Sequence, residues 1–323
     1  MNRCCRFFVA LTIAVCGSVP AAFAQQPWPS KPVRIVVPVP PGGSLDLLAR
    51  TLSKELAPAL GQQVLIENVP GAGGNIAFGQ VANAAPDGHT LLHGWDPLSI
   101  NTALYSSVPY KLSQFAPITL AITSPQVLVI NPKLEAGNLE EFIALARRKP
   151  GVLSLASPGN GSPGHLASTL LGTLTGAEFV HIPYKGGGPA LADLIAGHVD
   201  AAIVTLPAAL QHVRSGRLKA LGVSSARRAA GAPEIPTIAE AGVRGYELNS
   251  WQGFFAPAGT PPAIIQRLNA EIVRVLNNRE IRDQLVAQGF DIVGSAPEGL
   301  AREITEGTPR WAQLVKSSGA KVD

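Results

Sequence analysis

The chain has 323 residues, long enough for two domains, and carries 26 basic against 22 acidic side chains. A net charge of only +4, spread evenly, leaves no electrostatic footprint for nucleic acid. Its three cysteines, Cys4, Cys5 and Cys16, all fall near the N-terminus, so the rest of the chain has no disulfide, no thiol nucleophile and no cysteine metal site.

Residues 1–24 read as an export signal. Arg3 and Arg6 give a positive start, Phe7 to Val19 an apolar stretch, and Ala22-Phe23-Ala24 a small-x-small cleavage motif. Cys16 offers a lipid-modified alternative, disfavoured by Val15 before it. Cleavage after Ala24 removes two basic and no acidic residues, which takes the net charge from +4 to +2. No later stretch is long and apolar enough to span a membrane. The expectation is an exported protein that relies on its core rather than on disulfides.

After the signal, Val33 to Val37 is an apolar run that reads as a strand buried on both faces. Pro38, Pro40 and Pro41 end it, and Gly42 and Gly43 free the backbone to turn. Ser44 reads as an N-cap, with Leu45, Leu48, Ala49 and Leu52 forming a helical stripe behind it. Further strands are expected at 64–67, 90–93, 118–122, 127–130, 152–156, 179–182, 200–204, 219–224 and 253–256. Helices are expected at 44–60, 74–84, 139–149, 163–175, 189–196, 207–215, 261–277 and 297–306. Ser162-Pro163, Thr260-Pro261 and Thr308-Pro309 each place a capping residue before a proline, and Ser295-x-x-Glu298 reads as a capping box. Gly307 is expected to close one C-terminal helix before Thr308-Pro309 opens another. The alternation implies an α/β fold of mostly parallel sheets flanked by helices. The last helices are assigned back to the first domain. That gives lobe 1 as 25–125 plus 250–323, lobe 2 as 126–249, and a hinge made of two crossings.

Two more glycine-rich turns follow strands and open helices. In Ser157-Pro-Gly-Asn-Gly-Ser-Pro-Gly-His165 there is no acidic residue. The hydroxyls of Ser157 and Ser162, the backbone of Gly159, Asn160 and Gly161, and the helix dipole near His165 suit an anion, most simply a carboxylate. In Pro183-Tyr-Lys-Gly-Gly-Gly-Pro189, three glycines bare the backbone and Lys185 adds a mobile cation, while Thr205 ends the next strand beside the same crevice. The first turn differs, because Asp46 already offsets its helix dipole and repels a carboxylate. The anion is therefore expected on the second-domain loop, with Pro41, Gly42, Gly43 and Ser44 reading hydroxyls, carbonyls or bridging waters.

Other chemistry finds no pattern. Gly71-Ala-Gly-Gly74 lacks the dinucleotide spacing, and no phosphate loop exists, so no cofactor is expected. Gly161-Ser162-Pro163-Gly164 is not a nucleophile elbow. His89 and His93 sit on a strand, which makes a zinc pair a poor reading, and no metal site is expected. The chain does not read as an enzyme.

These stretches together resemble the tripartite tricarboxylate transporter receptors, the Bug or TctC-like periplasmic solute-binding proteins. The resemblance runs through WPSKPVRIVVPVPPGGSLDLLAR, GQQVLIENVPGAGGNIA, APDGHTLL, SPGNGSPGHLA, FVHIPYKGGGPALADLIAGHVD, PTIAEAG and WQGFFAPAGTP. It implies a two-lobed, type II periplasmic-binding-protein-like fold that closes on a small organic carboxylate without catalysis. It also implies an integral-membrane permease of a tripartite transporter as partner, and a monomer is expected. A same-fold receptor feeding a sensor kinase is the nearest alternative, and a small-molecule hydrolase the more distant one. Carried over, the ligand-holding loops are Pro41–Asp46 and Ser157–His165; the second resembles a backbone cradle for one carboxylate, and the first contacts the ligand largely through waters. Gly94-Trp-Asp-Pro-Leu-Ser99 departs from the family's pattern. It is expected to be a cleft-facing loop in which Trp95 and Asp96 shape specificity.

Overall fold

The computed structural model describes residues 28–322; the export signal expected at 1–24 lies outside them. In chain order the elements are β1 (Val33–Val37), α1 (Ser44–Leu60), β2 (Val64–Asn68), α2 (Asn75–Ala82), β3 (Thr90–Trp95), α3 (Pro97–Leu104) and β4 (Phe115–Ile130). Then come α4 (Leu139–Arg148), β5 (Ser154–Ser157), α5 (Pro163–Thr175), β6 (Val180–Pro183), α6 (Gly187–Ala196), β7 (Ala201–Thr205), α7 (Leu206–Arg214) and β8 (Lys219–Val223). The chain closes with β9 (Asn249–Pro257), α8 (Pro262–Leu276), α9 (Arg279–Ala287), β10 (Asp291–Ile292) and α10 (Pro297–Ser318).

The strands run in the order β2-β1-β3-β9-β4-β7-β5-β6, with β10 and β8 also on β4. The two ends of this series are parallel: β1 with β2 and β3, and β5 with β6 and β7. Every pairing that involves β4 or β9 is antiparallel. The parallel character is thus confined to the βα units, and the two strands that pass between lobes run against their neighbours.

β4 is the joint. Up to Pro125 it pairs β9, and from Gln126 onward it pairs β7. The sequence suggested two strands here, 118–122 and 127–130, where the structure has one. Pro125 sits where the strand exchanges partners, after Thr123 pairs β10 and before Gln126 pairs β7, so its missing N–H interrupts no ladder there.

Separate cores lie on either side of this joint. In lobe 1, Ile35, Leu48, Leu52, Phe254, Ile272 and Phe290 pack between the sheet and α1, α8 and α9. In lobe 2, Leu155, Leu166, Leu171 and Ile203 pack with α4 and α5. Each such side chain contributes about 1.5–3 kcal/mol by leaving water. Ile100 and Leu104 of α3 and Trp311 and Val315 of α10 also enter the lobe 2 core, so these two helices span both lobes.

Several local expectations are corrected. α10 is one helix through Gly307 and Pro309, with Trp311 and Val315 buried and the Thr308 hydroxyl donating to the Ile304 carbonyl. Its inward apolar stripe outweighs the Gly-Thr-Pro break. Asp96-Pro97 opens a helix, α3, rather than a loop. The Ser295 hydroxyl accepts from Leu120 N–H at 3.0 Å instead of capping α10, which starts from Ala296. Among the described residues no helix is long and apolar enough to cross a membrane.

Candidate functional site

The first glycine turn is built around Asp46. Gly42 takes φ +90°, a region L side chains avoid, and this aims its N–H at the Asp46 carboxylate four residues on (2.9 Å). Asp46 is 3% exposed and also accepts from Arg50 Nε (2.9 Å) and Asn68 Nδ2 (2.9 Å). Burial alone raises its pKa, but the Arg50, Gly42 and Asn68 hydrogen bonds together hold it below the usual carboxylate range. Asp46, not Ser44, fastens the turn; the N-cap position falls to Gly43, which makes no side-chain bond. The Ser44 hydroxyl instead accepts from Gln252 Nε2 at 3.3 Å. Pro41, Gly42 and Gly43 are exposed and Ser44 is half-buried.

The second turn repeats the device with a different acceptor. Gly161, at φ +68°, donates its N–H to His165 Nδ1 at 3.0 Å, again four residues on. A side chain at 161 would not fit, because its Cβ would lie 2.1 Å from Leu104 of α3. Ser162 caps α5 as its sequence suggests, its hydroxyl accepting from His165 N–H at 3.2 Å. The His165 ring lies flat on His181, centroids 3.8 Å apart and planes 1° apart. Burial lowers the pKa of His165, and burial with the neighbouring ring pushes His181 down to about 4. Both imidazoles are therefore neutral at pH 7. Ser157 is fully buried and its Oγ lies 2.7 Å from His181 Nε2; it supports the turn from below rather than facing a cleft. The N–H groups of Asn160 and Gly164 take part in none of the turn's hydrogen bonds, and Asn160 is exposed.

The third turn is tied to the second. Tyr184 N–H donates to the Ser157 carbonyl (3.0 Å) and Gly186 N–H to that of Pro158 (2.9 Å), which places exposed Lys185 beside the turn. Thr205, half-buried, ends β7 opposite Gln126 of β4.

Trp95 ends β3, half-buried, opposite Gln252. Asp96 is the single turn residue between β3 and α3 rather than part of an open loop: it is 0% exposed, and its Oδ1 accepts from Trp251 N–H at 3.3 Å. Burial pushes its pKa up to about 8, against the pull of Ser250 and the Trp251 N–H. His93 is also buried, stacked on Phe254, and pushed down to about 3 by burial.

Sequence reasoning missed His181, Gln252, Ser250 and Gln126. The first touches its partner across 24 residues and the second across 208, so no local spacing announces them. A cavity of about 180 Å³ lies elsewhere, lined by Thr123, Asn249, Trp251, Glu303, Arg310 and Trp311, and none of the sequence-selected loops borders it. Among the described residues no cluster of three metal-ligating side chains occurs.

Two lobes joined by crossing strands, with glycine turns at the carboxyl ends of parallel strands, define a type II periplasmic-binding-protein fold. Residues 48–320 match the tripartite tricarboxylate transporter family receptor, and the chain belongs to that family. It is 39% identical over 317 residues to BugT of Bordetella pertussis, covering 97% of each chain. Among solved structures it is similar to an R. palustris protein with adipate (TM-score 0.86, 34% identity, 91% of this chain and 100% of the other). It is also similar to MatC from Rhodopseudomonas palustris with bound malate (TM-score 0.81, 34% identity, 89% and 100%). The chain is a periplasmic solute-binding receptor, not an enzyme.

Proposed function

We propose that this receptor captures a small organic carboxylate between its lobes and delivers it to an integral-membrane permease of a tripartite transporter. The observation that carries the reading is the second glycine turn. Its hydrogen-bond acceptor is a neutral imidazole, it keeps the Asn160 and Gly164 N–H groups for a guest, and it opens the positive end of α5. The carboxylate sits against Gly159–Ser162 with Lys185 beside it, and Pro41–Ser44, Trp95 and Thr205 face it from the other strand ends. Asp46 acts by holding the first turn in shape. The family match and the adipate- and malate-bound neighbours support a carboxylate.

In this reading the lobes are 25–125 plus 250–323 and 126–249, and they close about β4 and β9 where β4 exchanges partners. Closure follows from differential affinity, since the ligand touches both lobes only in the closed form. The mature chain begins after Ala24 and acts as a monomer.

A thermal-shift screen of the mature protein against carboxylates, amino acids and amides tests this. A ligand at a hundredfold excess over Kd adds about 2.7 kcal/mol of stability. A midpoint rise with a carboxylate is the expected result; rises with non-acidic compounds alone contradict the assignment.

A further inference from the structure

Beneath the half-buried residues at the strand ends runs a seam of buried polar side chains that crosses from one lobe to the other. Ser44 of α1 bonds Gln252 of β9. Gln126 of β4 donates from Nε2 to Ser250 Oγ at 2.8 Å, and Gln126 lies opposite Thr205 at the end of β7. Asp96 caps the β9 edge between these pairs, on Trp251 N–H.

Three properties set this seam apart from ordinary core. It places two polar side chains at alternate positions 250 and 252 on β9, the spacing of residues that share a face. It leaves polar atoms unused: Gln252 Oε1 is buried with no hydrogen-bond partner, in a side chain only 3% exposed. A buried acceptor without a partner lowers stability, so a core that keeps one keeps it for another reason. Finally, the seam contains no cation. Its members are hydroxyls, amides and one carboxyl, the nearby His93 is neutral, and Arg50 is engaged by Asp46. Glu303 is the further charged group that acts on Asp96, and the Arg310 charge in turn acts on Glu303, in the cavity on the Trp251 side rather than in the seam.

We propose that Gln252 is the specificity-determining residue for the end of the ligand distal to its carboxylate, and that it selects a neutral hydrogen-bonding group there, a hydroxyl or an amide. A second carboxylate entering the seam meets no cation among its members, and burying an unpaired charge is costly. This inference rests on the carboxylate reading of the second turn and adds the chemistry of the other end. It separates this receptor from its neighbours with adipate and malate, whose ligands end in carboxylates on both sides.

The experiment is calorimetry of the mature protein with six-carbon acids that differ only at the far end: hexanoate, 6-hydroxyhexanoate, adipate and its monoamide, with the four-carbon counterparts run alongside. The hydroxy acid or the monoamide is expected to bind at least tenfold tighter than the diacid of the same length, and tighter than the plain acid. Gln252→Leu is expected to bring the hydroxy acid and the monoamide to the level of the plain acid measured on the same variant; Gln252→Met, closer in shape, serves if the leucine variant does not fold. Diacid binding equal to or tighter than that of the neutral-ended acids overturns this inference and leaves the carboxylate reading intact. Preference retained in the position-252 variants overturns the role of Gln252. Failure of every acid to bind, hexanoate included, overturns the carboxylate reading and this inference with it.

Discussion

The two glycine turns are the same device closed by acceptors of different charge, one negative and one neutral. In each, a strand ends, a glycine at positive φ points its N–H forward, and a side chain four residues on accepts it: Asp46 for Gly42, His165 for Gly161. Both acceptors are buried and both hold the start of a helix. Asp46 is kept ionised by Arg50, Gly42 and Asn68, so the first turn presents a negative charge beside its helix terminus. His165 is kept neutral by burial, so the second turn leaves the helix dipole uncompensated. One choice of acceptor thus decides which lobe can receive an anion. A loop's glycine pattern tells where a ligand can approach; the acceptor that closes the loop tells what charge it can have.

Removing the first acceptor should have the largest effect on the fold. Asp46→Ala strands the Gly42 N–H, Asn68 and Arg50 at a nearly buried position, and charge-assisted hydrogen bonds contribute about 1.5–3 kcal/mol each before relaxation. Urea unfolding is expected to show a loss of about 3 kcal/mol. Asp46→Asn should lose less at pH 7 and differ from wild type in its acid limb. The folded pKa of Asp46 lies below its unfolded value, so its contribution is present above about pH 4 and disappears as pH falls through the folded value. An unchanged acid limb in the asparagine variant would show that Asp46 is not ionised in the turn.

The second turn should carry a pH dependence in a different window. His181 titrates near 6.5 when unfolded and at about 4 when folded. The unfolded chain binds more protons between these values, so stability is full above about pH 6.5 and falls as pH drops towards 4, by on the order of 2–3 kcal/mol. His165 adds a slope of the same sign. In His181→Gln the slope between pH 6.5 and 4 should shrink, as thermal midpoints across that range will reveal; an identical slope would mean the imidazole stack does not stay neutral.

The smallest effect belongs to the cap. Ser162→Ala removes one hydroxyl that accepts from His165 N–H, which is worth about 1 kcal/mol in helix stability. Midpoint denaturant concentration should fall accordingly, and carboxylate affinity should weaken by roughly three- to tenfold as the turn loosens. No change in either places the cap outside the cradle.

Much of this was readable in the chain because glycine and proline are punctuation with fixed physical meaning. The three glycine turns, the Ser162 cap and the alternation of strands with helices stand in the sequence, and the family resemblance ran along nearly all of it. What was not readable depends on partners far away. Ser157 looked like a cleft hydroxyl, and only the fold brings His181 beneath it. Asp96 looked like a loop acid, and only the crossing of β9 buries it. Residues 118–130 looked like two strands and Thr308-Pro309 like a new helix start, yet Pro125 falls where one strand changes partners and Pro309 in a helix held by Trp311 and Val315. Local rules fail here because tertiary packing supplies more free energy than a single proline removes.

The claim that acceptor charge decides the anion site is tested most directly by making the second turn like the first. His165→Asp keeps an acceptor for the Gly161 N–H and adds a negative charge, while His165→Asn keeps the acceptor without the charge. Two unit charges about 5 Å apart repel by about 3 kcal/mol at an effective dielectric of 20, a factor of roughly a hundred or more in affinity. Calorimetry with the acid that gives the largest midpoint rise in the carboxylate screen should show that loss in the aspartate variant, and binding within roughly tenfold of wild type in the asparagine variant. Equal affinity in the two variants would contradict the account, since the charge of the acceptor would then have no part in choosing where the carboxylate sits.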